Sequence, residues 1–216
     1  MNWELFKKRF HNSWHKEIKP FIESDQCDKI YKFLKAEVAG GKKIAPASSN
    51  TFRAFLMTPL NELKCVIIGG PPYSKFENDL PTATGLFLDC SLTQKASPEL
   101  DNFYKGIEKE FYDGLNLDYI QDWSLDYLAH RGVLLLNNSL TIEKDETIGH
   151  EKLWKPFIDH IIDLATRKKI PIIFIDVNEL RIGKEWDTKN VFSIANKQIE
   201  DNFETSIMFL NIDVPF

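Results

Sequence analysis

The sequence predicts an α/β domain, a doubly wound short parallel sheet of about four strands flanked by helices on both faces. Three observations lead there. Compact apolar runs, Cys65-Val66-Ile67-Ile68, Val133-Leu134-Leu135-Leu136 and residues 171–175, have the continuous apolar character of strands buried on both sides. Between them lie stretches with apolar residues every three or four positions, which is the helical period. Strands and helices taken in alternation give a parallel sheet with crossover helices.

The elements follow in order. Residues 2–38 read as helices, because Trp3, Phe6, Phe10, Trp14 and Ile18 recur at spacings of three and four, and Ala39-Gly40-Gly41 ends the pattern. Ser48-Ser49-Asn50 offers caps for a short helix over 51–57 that carries Phe52, Ala54 and Phe55. The first buried strand closes on Gly69-Gly70. Residues 84–90 form a short strand or turn, 97–111 a helix opening with Ser97-Pro98-Glu99, and 119–130 another helix. The second strand is followed by Asn137-Asn138. A helix over 154–166 presents Phe157, Ile161, Ile162, Leu164 and Ala165, and Lys168-Lys169-Ile170 leads into the third strand. Val191-Phe192-Ser193-Ile194 reads as a fourth. Ligands of such sheets sit at the carboxyl ends of the strands, so the segments after Ile68, Leu136, Ile175 and Ile194 carry the functional expectation.

The 216 residues are the size of one domain, with residues 1–40 expected to pack on it, and neither repeats nor low-complexity tracts interrupt them. A net charge of −5 supplies no general attraction to phosphate, though a local basic face would still suffice for binding. Cys27, Cys65 and Cys90 are an odd set without metal-like spacing and are expected as buried thiols. Neither a metal nor another cofactor is expected. No apolar stretch reaches the roughly 18 residues of a membrane span, and the amphipathic, polar-rich start is unlike a secretory signal. An intracellular protein without a membrane partner is the expectation.

Several stretches carry a family pattern. Ser13-Trp14-His15, Phe52-Arg53-Ala54-Phe55 with Thr58-Pro59-Leu60, residues 63–69, Thr84-Gly85-Leu86, and Gly132-Val133-Leu134-Leu135-Leu136-Asn137 with Leu140-Thr141 occur in one order with little gapping. In this the chain resembles family 1 uracil-DNA glycosylases over roughly residues 13–160. The resemblance implies a pocket that takes uracil flipped out of DNA and reads its Watson–Crick edge. It implies a base-pocket remnant at Gly69, Gly70, Tyr73, Leu88 and Asn137, with Asn137 reading the base and Tyr73 excluding a 5-methyl group. The bland alternative stands beside it: Asn137 ends a strand and bonds local backbone, while Tyr73 packs a loop.

The same resemblance marks what is missing. Hydrolysis in the family uses an aspartate in GQDPYH, to stabilise the cationic sugar and orient water, and a histidine in HPSPLS that stabilises the departing base. Here the first loop is Gly69-Gly70-Pro71-Pro72-Tyr73-Ser74, and Pro71 has neither carboxylate nor N–H. Glu77 and Asp79 in the next loop are weak substitutes. Placing 191–194 on the family's last strand puts Asn196 near the histidine and Glu200 where a leucine enters the base stack. Leu88 stands where a phenylalanine stacks on uracil. Of the surfaces that face DNA in the family, Glu99 replaces a serine, Asp176-Val177-Asn178 replaces a second serine loop, and His150 follows the second strand; as an isolated or capping histidine it needs no function. Glu99, His150, Asn178 and Glu200 are thus the former DNA-facing positions.

These losses predict a catalytically inactive relative repurposed for binding. A protein partner ranks first, with DNA, free uracil or a nucleotide as other ligands. The alternatives are an active glycosylase with altered catalytic residues, since other glycosylase families position water with an asparagine, and a DNA-binding accessory factor.

Overall fold

The computed structural model describes residues 3–95, 97–112, 122–175 and 191–210. The chain opens with α1 (Trp3–Phe6), two short 3-10 turns, α2 (His15–Ile22) and α3 (Asp25–Ala39). Then come β1 (Ile44–Ala45), α4 (Arg53–Met57), β2 (Cys65–Gly69), β3 (Phe76–Glu77) and β4 (Leu80–Pro81). They are followed by α5 (Pro98–Tyr112), α6 (Asp126–His130), β5 (Val133–Asn137), β6 (Ile142–Glu143), α7 (Glu151–Arg167), β7 (Ile172–Phe174) and α8 (Val191–Phe203).

The central sheet is parallel with strand order β5-β2-β7. Cys65 pairs with Val133 and Gly69 with Asn137, while Ile68 pairs with Phe174, so the three carboxyl ends lie side by side. Every residue of β2 and β5 is buried. Successive strand side chains point to opposite faces, so helices must cover both. One group, α2, α3 and α7, packs together, with α7 against β7; another, α5 and α8, meets the same strand through α8. An N-terminal staple ties the outer turns to the sheet. The Trp14 indole donates to Thr58 O at 2.8 Å, and the Thr58 hydroxyl donates to Val133 O at 3.0 Å. Ser13 Oγ accepts from Leu60 N at 2.8 Å. Cys27, Cys65 and Cys90 are buried free thiols, and burial pushes Cys65 up to about 12. No helix among the described residues is long and apolar enough to cross a membrane.

The expected fourth strand is corrected. Residues 191–194 are the first turn of α8, which buries Phe192, Ala195 and Ile199. Those spacings of three and four are helical. A run this short, with three apolar residues in four, cannot by itself tell a strand from a buried helix turn, and the continuing period decides for the helix. Among the described residues the parallel sheet therefore has three strands, not four. The helix expected over 119–130 is described only from Asp126 to His130, residues 113–121 lying outside the described set. Residues 84–90 are turn, not strand.

Two antiparallel pairs were not foreseen, β1 with β6 and β3 with β4. The β3–β4 hairpin turns through Asn78 and Asp79 at φ 47° and 66°. Two successive left-handed residues make a type I′ turn, for which Asn and Asp are favoured. Both pairs share a small satellite core of Ala45, Ala83 and Ile142 with Tyr73 and Phe76 against it.

Candidate nucleobase site at the carboxyl ends of the strands

The site begins where β2 runs out. Gly69 is the last strand residue, and a side chain there is excluded: a Cβ would lie 1.9 Å from Phe87 Cζ. The Phe87 ring thus rests on the strand end. After Gly70 the chain turns through Pro71 and Pro72 to Tyr73. These three line a cleft with Ala83, Leu86, Phe87, Leu88 and Asn137, and its volume is about 10 Å³. That is the room of about one water.

The polar groups of the cleft are few and bonded. Asn137 is 7% exposed, and its Nδ2 donates to Gly70 O at 2.9 Å. The Tyr73 hydroxyl lies 2.6 Å from Ser97 Oγ and 3.4 Å from Leu88 O. Burial drives the Tyr73 pKa up, with the charges of Cys90, Glu99 and Asp89 adding to the effect and the Ser97 hydrogen bond opposing it. Leu88 is buried with φ 62°, a left-handed conformation uncommon outside glycine. Pro71 packs toward the loop before α7, since a Cβ on Gly149 would come within 3.0 Å of Pro71 Cβ. Beside it, Asn138 Nδ2 donates to Glu151 Oε1 at 3.2 Å, while its buried Oδ1 has no partner.

Three carboxylates of the surrounding loops are held by lysines. Asp79 pairs with Lys43, Glu77 with Lys95 and Asp145 with Lys75. Neither Glu77 nor Asp79 substitutes at the position of Pro71 in this arrangement. Asp89, fully buried just after the cleft wall, accepts from Ser91 and from Leu125 N at 2.9 Å, with Arg53 at 3.6 Å. It joins the 84–91 turn to the start of α6.

The remaining expected positions divide. His150 precedes α7 and is half-buried; its Nδ1 lies 2.9 Å from Thr141 Oγ1, which also accepts from the Trp154 indole at 2.7 Å. Burial lowers the His150 pKa, which favours the neutral ring. Phe33 meets this ring edge-on at 5.3 Å. Glu99 lies in the first turn of α5, where the helix dipole favours an anion. Asn196 is corrected: it sits inside α8, not at a strand end. Its side chain brackets Ile207, donating to O at 3.0 Å and accepting from N at 2.9 Å. Glu200 is likewise an exposed residue of α8 and does not follow a strand. Asn178, with Asp176, Val177 and Glu179, lies outside the described residues. Sequence reasoning missed Phe87 and Ser97. The clue for Ser97 was its place as a helix cap before Pro98.

This parallel sheet with a cleft after its first strand is shared with solved uracil-DNA glycosylase structures. The mimivirus uracil-DNA glycosylase superposes with a TM-score of 0.75 at 16% identity, over 97% of this chain and 89% of that one. The uracil-DNA glycosylase UNG of Nitratifractor salsuginis gives a TM-score of 0.55 at 16% identity, over 91% and 94% of the two chains. No family model matches the chain. The sequence is 32% identical over 166 residues to the uracil-DNA glycosylase of Streptococcus uberis, covering 76% of this chain and 71% of that protein. It is 35% identical over the same length to that of Streptococcus pyogenes serotype M49, with the same coverage. The chain belongs to the uracil-DNA glycosylase family.

Proposed function

We propose that the chain acts on uracil in DNA as a glycosylase of altered chemistry. The observation that carries this reading is the meeting of the Asn137 amide and the Tyr73 ring in one buried cleft at the carboxyl ends of β2 and β5. An amide offers a donor and an acceptor side by side, which matches the complementary edge of uracil. The Tyr73 ring closes the side on which a 5-methyl group would project. The streptococcal relatives support the reading, being glycosylases by name. They weigh for it against the expectation of an inert chain.

The chemistry must run without an anion from residue 71. Among the described residues, amides, backbone carbonyls and the departing base are then left to stabilise a cationic sugar. Removing one electrostatic stabiliser of a transition state costs on the order of 10²–10³ in rate, so a slow enzyme is expected. Entry of a base also requires the cleft to widen beyond its single-water volume, with Leu88 and Phe87 giving way.

The test is release of uracil from single-stranded and duplex oligonucleotides. The expected outcome is slow release above background, raised at least tenfold by Pro71→Asp. Release at background by both proteins would reject the glycosylase reading. A second reading, binding without hydrolysis, draws on Pro71 and on the narrow cleft. Under it the ligand is a protein partner, DNA, or free uracil or a nucleotide, and Pro71→Asp changes nothing.

A further inference from the structure

The geometry points to Ser97 as a positioning residue that sets the width of the base cleft by locking Tyr73 to the Leu88 carbonyl. It deepens the proposed reading of this site and rests on it for the identity of the base.

Three observations carry it. First, Ser97 Oγ serves two purposes at once: it accepts from Leu100 N at 3.2 Å and lies 2.6 Å from the Tyr73 hydroxyl. The Tyr73 hydroxyl also lies 3.4 Å from Leu88 O, and with Ser97 as donor of the short bond the tyrosine proton goes to that carbonyl. The result is one directed chain from the first turn of α5 across the cleft wall. Second, the residue at its far end is held in a left-handed backbone conformation, with φ 62° at Leu88. A leucine there is uncomfortable, and it persists only where neighbours over-determine it. The flanking amides do so, Phe87 N donating to Leu135 O at 3.3 Å and Cys90 N to Trp123 O at 3.0 Å. Third, Tyr73 and Leu88 are both cleft-lining residues, and the space between the walls is about 10 Å³. Their separation is therefore the dimension that admits or rejects a substituent on a base.

The position of Ser97 also matters. It starts α5, whose first turn carries Glu99. A ligand approaching that turn would act on the cleft through one hydroxyl. The width of the cleft and the seating of α5 are thus coupled.

The experiment compares Ser97→Ala, Ser97→Thr, Tyr73→Phe and the double variant Ser97→Ala/Tyr73→Phe by amide hydrogen exchange. Exchange at Phe87 and Cys90 is expected to quicken about tenfold in either single deletion, to return to the original rate in Ser97→Thr, and to rise no further in the double variant. Non-additivity is the mark of a shared chain. If Ser97→Ala quickens only Leu100 and Asp101, Ser97 is a helix cap and nothing more, and the inference is overturned. Additive effects in the double variant overturn it equally. A second readout addresses the base: affinity for free uracil and for thymine, with the preference for uracil expected to narrow at least fivefold in Ser97→Ala and to be kept in Ser97→Thr. An unchanged preference in Ser97→Ala counts against the positioning role. Failure of every variant to bind either base would overturn the nucleobase reading of the site, while the exchange rates would still decide whether the lock exists.

Discussion

Gly69 and Phe87 show how much one contact decides at the scale of single residues. Phe87 is 1% exposed and its ring occupies the volume a side chain at 69 would need, with Cζ only 1.9 Å from the added Cβ. The ring is enclosed, so it moves only when its neighbours shift with it. Gly69→Ala is therefore expected to destabilise the protein by about 1–3 kcal/mol, the usual cost of overpacking a dense core. Urea unfolding would measure it, and Phe87→Leu in the same chain should recover more than half of the loss. An unshifted midpoint in Gly69→Ala would show that the ring is not fixed there. The same pair explains a difference from the sequence reading. Leu88 was identified as the place where a stacking aromatic had been lost, yet an aromatic ring reaches the cleft from residue 87. The motif located the turn, but alternation does not say which of two neighbours faces inward in a turn with a left-handed residue. Pro71, by contrast, was legible, because a turn directly after a buried strand leaves little freedom in where its residues lie.

The junction between β6 and α7 is a pH-sensitive element. His150 Nδ1 bonds Thr141 beside Trp154, and burial lowers its pKa; Lys42 acts in the same direction, while Glu37 and Glu143 oppose. A histidine whose folded pKa is depressed contributes stability that is present above its unfolded value near 6.5 and lost as pH falls below it. The thermal midpoint of the natural chain should thus drop more steeply between pH 7 and 5 than that of His150→Gln, which keeps an acceptor for Thr141 without taking up a proton. Equal slopes would mean that His150 is charged in the fold. At this scale the motifs were informative in a structural way: Ser13, Trp14 and Thr58 are staples between the N-terminal turns and the sheet, which is why their spacing is recognisable. The two fully buried strands, β2 and β5, were legible for the same reason, since a run buried on both faces admits few other readings. Residues 191–194 were not, because a four-residue run with three apolar side chains fits a strand as well as a helix turn. The decisive residues, Ala195 and Ile199, lie beyond the run. The β3–β4 hairpin escaped because two-residue strands have no period to detect.

Charge is the property that belongs to the whole molecule. The chain carries −5 overall, and among the described residues four lysines of the neighbouring loops are already engaged. Lys42 bonds Glu37 and Glu143, Lys43 bonds Asp79, Lys75 bonds Asp145, and Lys95 bonds Glu77. Exposed pairs of this kind contribute little stability and exchange readily, so phosphate can compete for each lysine. Every such exchange, however, leaves a carboxylate behind to repel the strand, and the gain per contact is cut. Binding to single-stranded DNA should consequently depend weakly on salt. Each phosphate neutralised adds about 0.7 to the slope of log affinity against log salt, and a slope shallower than about −2 is expected. Titrations between 50 and 200 mM salt would read it directly. A slope of −4 or steeper would require more lysines than the paired rim can release, and would move the nucleic-acid surface away from the cleft. A shallow slope together with uracil release would place the specificity in the Asn137 cleft, where a base can be selected by shape without a strong pull on its backbone.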